Sequence, residues 1–218
     1  MRSGTFITFE GGEGTGKSTQ ARRLADYLEA HGAKVLLTRE PGGTPSGEIV
    51  RRIVLAGAAE PLGPLAEAVL MNAARSDHLE MIIRPALKAG KTVICDRFSD
   101  STLAYQGFVG GVDLKLLRQM EAVIVGDTVP DLTFVMDAPV PQTLSRARRE
   151  TLKTAGKNAT PDRFEKQDKS IHEEIRKAFL ALALQAPRRM RVIDATGTPD
   201  EVFARIVRNY EKLSERAA

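Results

Sequence analysis

Residues 11–18 read Gly11-Gly12-Glu13-Gly14-Thr15-Gly16-Lys17-Ser18, with Thr19 next, a complete G-x-x-x-x-G-K-[ST] loop. It follows the strand-like run Thr5-Phe6-Ile7-Thr8-Phe9 and precedes a helix-like stretch. In that setting the glycines let the backbone curl around an anion with its N–H groups turned inward, and the following helix adds the positive end of its dipole. Lys17 would reach the β and γ phosphates of a nucleoside triphosphate, and Ser18 would hold Mg²⁺. A glycine turn alone gives no reason for Lys17 and Ser18 to stand at the helix start. The loop restricts the chain to folds that place a strand, a phosphate and a helix in line.

The rest of the chain alternates accordingly. A helix is expected near Lys17 to His31, with Leu24 and Leu28 on one face, then a strand from Lys34 to Thr38. A longer helical region runs from about Leu65 to Lys88. The runs 91–96 and 132–137 read as buried strands, each ending in an acid, Asp96 and Asp137. Ile171, Ile175, Phe179 and Leu182 keep helical spacing, and 191–194 looks like the last strand. Thr198-Pro199-Asp200-Glu201 combines an N-cap, a Pro at the first helical position and a capping-box Glu, ahead of the stripe Val202, Phe203, Ile206, Val207, Tyr210 and Leu213. Strands joined by helices of this length imply a three-layer α/β fold, a five-stranded parallel sheet with helices on both faces. The ligand should lie at the carboxyl ends of the strands.

At 218 residues the chain is read as a single domain, 1–218. The longest apolar run, Phe179 to Leu184, is too short to span a bilayer, and no signal-peptide core precedes the loop, so neither membrane insertion nor export is expected. Cys95 is the single cysteine, which excludes an internal disulfide, suits a reducing, cytoplasmic setting, and is most simply a small buried hydrophobe. His31, His78 and His172 lack metal-site spacing and read as solvated helix or turn residues. A formal charge of +4 favours anionic ligands without requiring nucleic acid.

Two further segments carry chemistry. From Arg146 to Arg163 the sequence is basic with one large apolar residue, Leu152, and reads as a mobile flap or lid. Phosphoryl transfer needs cations that arrive with closure, and arginines in a lid would supply them. A solvated helix end plus loop is the plainer alternative. The second segment is Asp96-Arg97-Phe98, followed by Ser99 to Gly107. An acid closing an apolar strand beside a phosphate loop has the position of a Mg²⁺-organising aspartate, and Arg97 just beyond it would face the phosphates.

With these residues the chain resembles the bacterial thymidylate kinase family. The ordered pattern comprises Phe9 to Ser18, Thr38 to Thr44, Ala73 to Arg75, Asp96 to Gly107, Pro130 to Thr133 and Asp162 to Glu165, and it spans nearly the whole chain. The resemblance implies transfer of the γ-phosphoryl group of ATP to thymidine 5′-monophosphate, with Mg²⁺, and ATP bound by Gly11 to Thr19. It implies that Arg97 and Arg75, helped by Arg51, hold the acceptor phosphate, with Ser101 in the same site. Thr102 and Gln106 would contact the thymine edge and sugar. Tyr105 would close against the 2′ face of the sugar, and Glu13 would accept the 3′-hydroxyl. It also implies a homodimer through the long central helices.

Family variants differ in whether the catalytic arginine stands in the phosphate loop or in the lid. This loop contains none, so Arg148, Arg149 and Arg163 become the candidates, beside Lys17 and Arg97. Where the family usually has a Phe stacking on thymine, this chain has Met71, which is flexible and gives up π stacking. Other nucleotide or nucleoside kinases of the same fold are the nearest alternative. A nucleoside acceptor, however, brings no phosphate for Arg75 and Arg97. An ATPase module acting on nucleic acid or a partner protein would add a basic stripe with interleaved aromatics, whereas aromatic residues make up 5% here.

Overall fold

The runs that are apolar at successive positions become the central strands. In the computed structural model, which describes residues 4–155, 163, 164 and 167–217, β1 (Phe6–Glu10) is buried along its whole length. That is the pattern of a parallel strand covered on both faces. With β2 (Val35–Arg39), β3 (Thr92–Asp96), β4 (Leu132–Asp137) and β5 (Met190–Asp194) it forms one five-stranded parallel sheet in the order β2-β3-β1-β4-β5. Phe9 lies in register with both Asp96 and Phe134, so the ends of the three central strands sit side by side.

Leu24 and Leu28 of α1 (Lys17–Ala30) and Val202 and Ile206 of α9 (Pro199–Ala217) pack on Ile7, Phe9 and Phe134 on one face. Burying a side chain of this size contributes about 1.5–3 kcal/mol. The other face is covered by α3 (Gly63–His78), α4 (Arg84–Lys88), α6 (Leu114–Val125) and α8 (Lys169–Gln185), through clusters that include Leu117, Phe179 and Leu182, and Phe6, Leu79 and Phe98. The helical stretch expected over 65–88 runs from 63 to 88, with a π-helical turn at Leu79–Ile83 between α3 and α4. The capping box of α9 forms in both directions: Thr198 N donates to Glu201 Oε2 at 2.8 Å, and Glu201 N donates to Thr198 Oγ1 at 3.3 Å.

One expectation is corrected. Only His31 is exposed; His78 is fully buried and His172 is 4% exposed. Both polar rings face inward from the core sides of α3 and α8, and His78 is satisfied there by Glu40 and Thr38. The first part of the expected flap is helix: 146–155 is the end of α7 (Val140–Ala155). Residues 156–162, with Asp162 of the quoted motif, and Glu165 lie outside the described residues. Cys95 is buried, as expected, and its thiol donates to Arg97 O.

Candidate active site

The phosphate loop joins the end of β1 to α1, with Gly11, Gly14 and Gly16 all at positive φ. Gly14 has a second reason to be glycine: a Cβ there would stand 1.9 Å from Thr143 O on α7. Lys17 is buried and donates to Gly12 O at 2.7 Å, while Thr15 Oγ1 donates to the same carbonyl at 2.9 Å. Burial first, and then Arg97, pull the Lys17 ammonium down to about 8, against the opposing pull of Glu13, Asp96 and Glu10. An arriving polyphosphate would supply the counter-charge. The registered ends of β1 and β3 bring Ser18 against Asp96, whose Oδ2 accepts from Ser18 Oγ.

Ser18 and Asp96 form a hydroxyl and carboxylate pair beside the phosphate loop. Hard oxygens in this number suit Mg²⁺, which keeps waters and takes phosphate oxygens to complete its shell. Among the described residues no cluster of three or more His, Cys, Asp or Glu is placed to hold a metal by itself.

Arg97 lies just past β3 with φ of 69°, a left-handed conformation uncommon for a side chain of this size. The strained backbone is held on both sides. Its N–H donates to Phe9 O, and its guanidinium donates to Gly11 O, Ser101 Oγ and Glu13 Oε1 and lies over the Tyr105 ring at 5.2 Å. Tyr105 Oη also donates to Glu13, at 3.0 Å. Burial alone would raise the Glu13 carboxyl; Arg97, Lys17 and the Tyr105 hydroxyl outweigh it and bring the group down to about 2. These partners account for a carboxylate in a loop built for anions. Below them, Glu10 is fully buried and accepts from Phe98 N at 2.8 Å and Ser101 Oγ at 2.6 Å. Burial, reinforced by Asp100, lifts its carboxyl to about 8.

Arg75, 3% exposed, is fixed at every nitrogen: Nε donates to Glu40, Nη1 to Asn72 and Nη2 to Thr102, and the group lies over the Phe98 ring. Glu40 in turn bonds His78 Nδ1 at 3.0 Å, and His78 Nε2 bonds Thr38 Oγ1 at 2.8 Å. Thr102 and Tyr105 come from α5 (Ser99–Thr102) and the π-helical segment Leu103–Val109 that continues it. The wider turn re-aims successive side chains, a feature frequent at functional sites.

All nine side chains expected on the acceptor side, Glu13, Arg51, Met71, Arg75, Arg97, Ser101, Thr102, Tyr105 and Gln106, line one pocket. Glu40 and Phe164 line it too, and Phe164 packs edge-on to Tyr105 at 5.3 Å. Neither is among the expected acceptor residues, although both stand inside the ordered motifs, Glu40 in Thr38 to Thr44 and Phe164 in Asp162 to Glu165. A second cleft, lined by 13–20 with Asp96, shares Glu13, Glu40, Arg51 and Arg97 with the first.

The lid candidates divide. Arg148 and Arg149 are exposed on α7, with Arg149 Nε donating to Ser145 O within the helix, and neither lines the second cleft. Arg163 is on the acceptor side, paired with the buried Glu67 and with Glu60. Arg146, which the sequence reading did not single out, lines the second cleft and donates to Ala195 O and Gly197 O.

A phosphate loop joined by shared charges to a side-chain pocket built for a second anion defines a P-loop nucleoside monophosphate kinase. Residues 9–206 match the sequence profile of the Thymidylate kinase family. The chain belongs to that family. It is 50% identical over 203 residues to "Thymidylate kinase" of Bradyrhizobium diazoefficiens, covering 93% of this chain and 87% of the relative. It is 47% identical over 215 residues to the protein of the same name from Afipia carboxidovorans, covering 99% and 91%. The crystal structure of thymidylate kinase from Ehrlichia chaffeensis superposes with a TM-score of 0.74 at 35% identity, covering 95% of this chain and 99% of that one.

Proposed function

We propose that this chain transfers the γ-phosphoryl group of ATP to thymidine 5′-monophosphate, giving ADP and thymidine diphosphate, with the labour divided between its two clefts. The observation that carries the reading is the single pocket that gathers every acceptor-side residue and opens, through Glu13, Arg51 and Arg97, onto the phosphate loop. In the donor cleft, backbone N–H groups of 11–19 and Lys17 bind the ATP phosphates. Ser18 and Asp96 would hold Mg²⁺, which when bound neutralises charge on the phosphates. Arg97, with Arg51 and Arg75, holds the acceptor phosphate so that its oxygen faces the donor, which removes orientational entropy from the barrier. Glu13 accepts the 3′-hydroxyl, Tyr105 closes on the 2′ face of the sugar, and Met71, Thr102 and Gln106 meet the base. Arg148 and Arg149, exposed midway along α7, supply positive charge to the transferred group on closure, leaving Arg163 to the acceptor side.

The same reading takes the chain as a single domain that works in the cytoplasm as a homodimer. Exposed Leu62, Leu65 and Val69 on and beside α3, with Leu116 and Val123 on α6, support a partner along those helices. No single described helix is long and apolar enough to cross a membrane. The test is ADP formation with Mg-ATP across a panel of nucleoside monophosphates and nucleosides. Thymidine monophosphate is expected to give the highest kcat/KM; preference for a ribonucleotide or a nucleoside would overturn the assignment.

A further inference from the structure

We infer that Glu67 is a positioning residue that sets base selectivity by fixing which end of the Gln106 amide faces the acceptor pocket. Glu67 stands on α3 at 2% exposure, and nothing in the sequence marked it. One of its oxygens accepts from Gln106 Nε2 at 3.3 Å, and the other meets the Arg163 guanidinium. A carboxylate held by an arginine offers only acceptors. An amide beside it must therefore turn its nitrogen inward, which removes the freedom of an isolated glutamine to present either end.

The consequence lies on the pocket side. Gln106 is 3% exposed and lines the pocket, and its Oε1 has no donor among the described residues. The pocket thus offers a carbonyl acceptor at this point. A 2,4-dioxopyrimidine ring meets it with its N3–H donor. Cytosine presents a bare N3 lone pair and would leave two acceptors facing each other. A buried polar group left unpaired discriminates more strongly than shape, because the wrong ring forfeits the bond and keeps the desolvation cost. Arg163 belongs to the same device, since its charge keeps the far side of Glu67 committed. The inference rests on the proposed reading that Gln106 faces the base.

The experiment compares kcat/KM for thymidine monophosphate and deoxycytidine monophosphate in the wild type, Glu67→Gln, Glu67→Asp and Gln106→Leu, with a melting temperature for each. Glu67→Gln keeps the shape but can donate as well as accept, so the Gln106 amide regains its second orientation. The preference for thymidine monophosphate should fall at least about tenfold. A merely structural role would lower both acceptors together, and an unchanged ratio overturns the inference. If Glu67→Gln does not fold, Glu67→Asp decides: it keeps the charge opposite Arg163 but withdraws the oxygens by one methylene, and its ratio must fall as well. An unchanged ratio in Gln106→Leu means that Gln106 does not meet the base, so the underlying reading fails. A changed ratio there with none in the Glu67 variants defeats the inference alone.

Discussion

The acceptor pocket and the donor cleft share a wall, yet they are made of different material. The acceptor side is a network of buried and half-buried side chains in which the guanidinium groups of Arg75 and Arg97 each donate to three partners. The donor side is built around backbone, a glycine loop and a helix N-terminus, with exposed Ser18 and Thr19 at the helix start. Buried networks are rigid and specific when fully satisfied. Backbone amides bind any polyphosphate alike. The difference teaches where each property can be built: a preformed side-chain network on the acceptor side can select a substrate, whereas a backbone cradle can hold a polyphosphate without discriminating its base.

The largest effect that would break this contrast concerns the lid arginines. Replacing Arg148 and Arg149 together by Ala should lower kcat by about 10³ or more with little change in acceptor KM, as for an arginine finger. Arg163→Ala should instead raise acceptor KM, because its partners Glu67 and Glu60 are on that side. Steady-state kinetics separates the two. A kcat loss below about tenfold in the double variant would return the catalytic cation to the acceptor network.

Glu10, which closes β1, and Glu13, in the loop that follows, sharpen the comparison. The Glu10 carboxyl is raised from an ordinary value of 4.5 to about 8, so its contribution to stability is complete below about pH 4.5 and lost as pH rises through about 8. Glu10→Gln should be the more stable protein at pH 9, by on the order of a few kcal/mol, and its advantage should vanish towards pH 5. Urea titrations across that range would show parallel curves if Glu10 carried no proton. Glu13 has the opposite sign. Lowered to about 2, its contribution is present above about pH 4.5 and lost only as pH falls through 2.

A smaller effect tests what Glu13 does with the substrate. A hydrogen bond between its carboxylate and the 3′-hydroxyl is worth about 1.5–3 kcal/mol. Glu13→Gln and the 3′-deoxy acceptor should therefore give non-additive losses in kcat/KM. Additive losses would confine Glu13 to holding Arg97 and Tyr105. Smallest of all, Met71→Phe should tighten acceptor binding by about 0.5–1.5 kcal/mol through ring stacking, read by calorimetry. Unchanged affinity would show that Phe164 and Tyr105 leave no face of the base open.

The sequence was most legible where chemistry demands contiguous residues. The phosphate loop, the strand ending in Asp96, and the capping box of Thr198 and Glu201 all depend on neighbours a few positions apart. Seven of the nine acceptor residues fall inside the ordered motifs, and Arg51 and Met71 lie outside them. What stayed hidden depends on contacts across the chain. His78 carries no local sign that Glu40, 38 residues earlier, awaits it in the core. Glu67 looks like an ordinary helix acid until Gln106 and Arg163 are folded against it. The basic run after Arg146 is ambiguous in sequence, because lids and solvated helices share its charge density; its first part, 146–155, is helix.

Gly14 and Gly12 stand two residues apart in the same loop, and the space around them is not alike. At Gly14 the missing side chain is the clearance through which α7 passes; at Gly12 a Cβ would meet nothing within 4 Å. A library varied one position at a time would treat the two unequally. Variants at 14 fail in assembly, since a helix must shift before any nucleotide is encountered. At 12 neither the surrounding space nor a positive φ asks for glycine, and the loop motif leaves that position open, so substitutions there fold. Of two neighbouring glycines, an evolving lineage is thus bound by its own architecture at one and free to vary at the other.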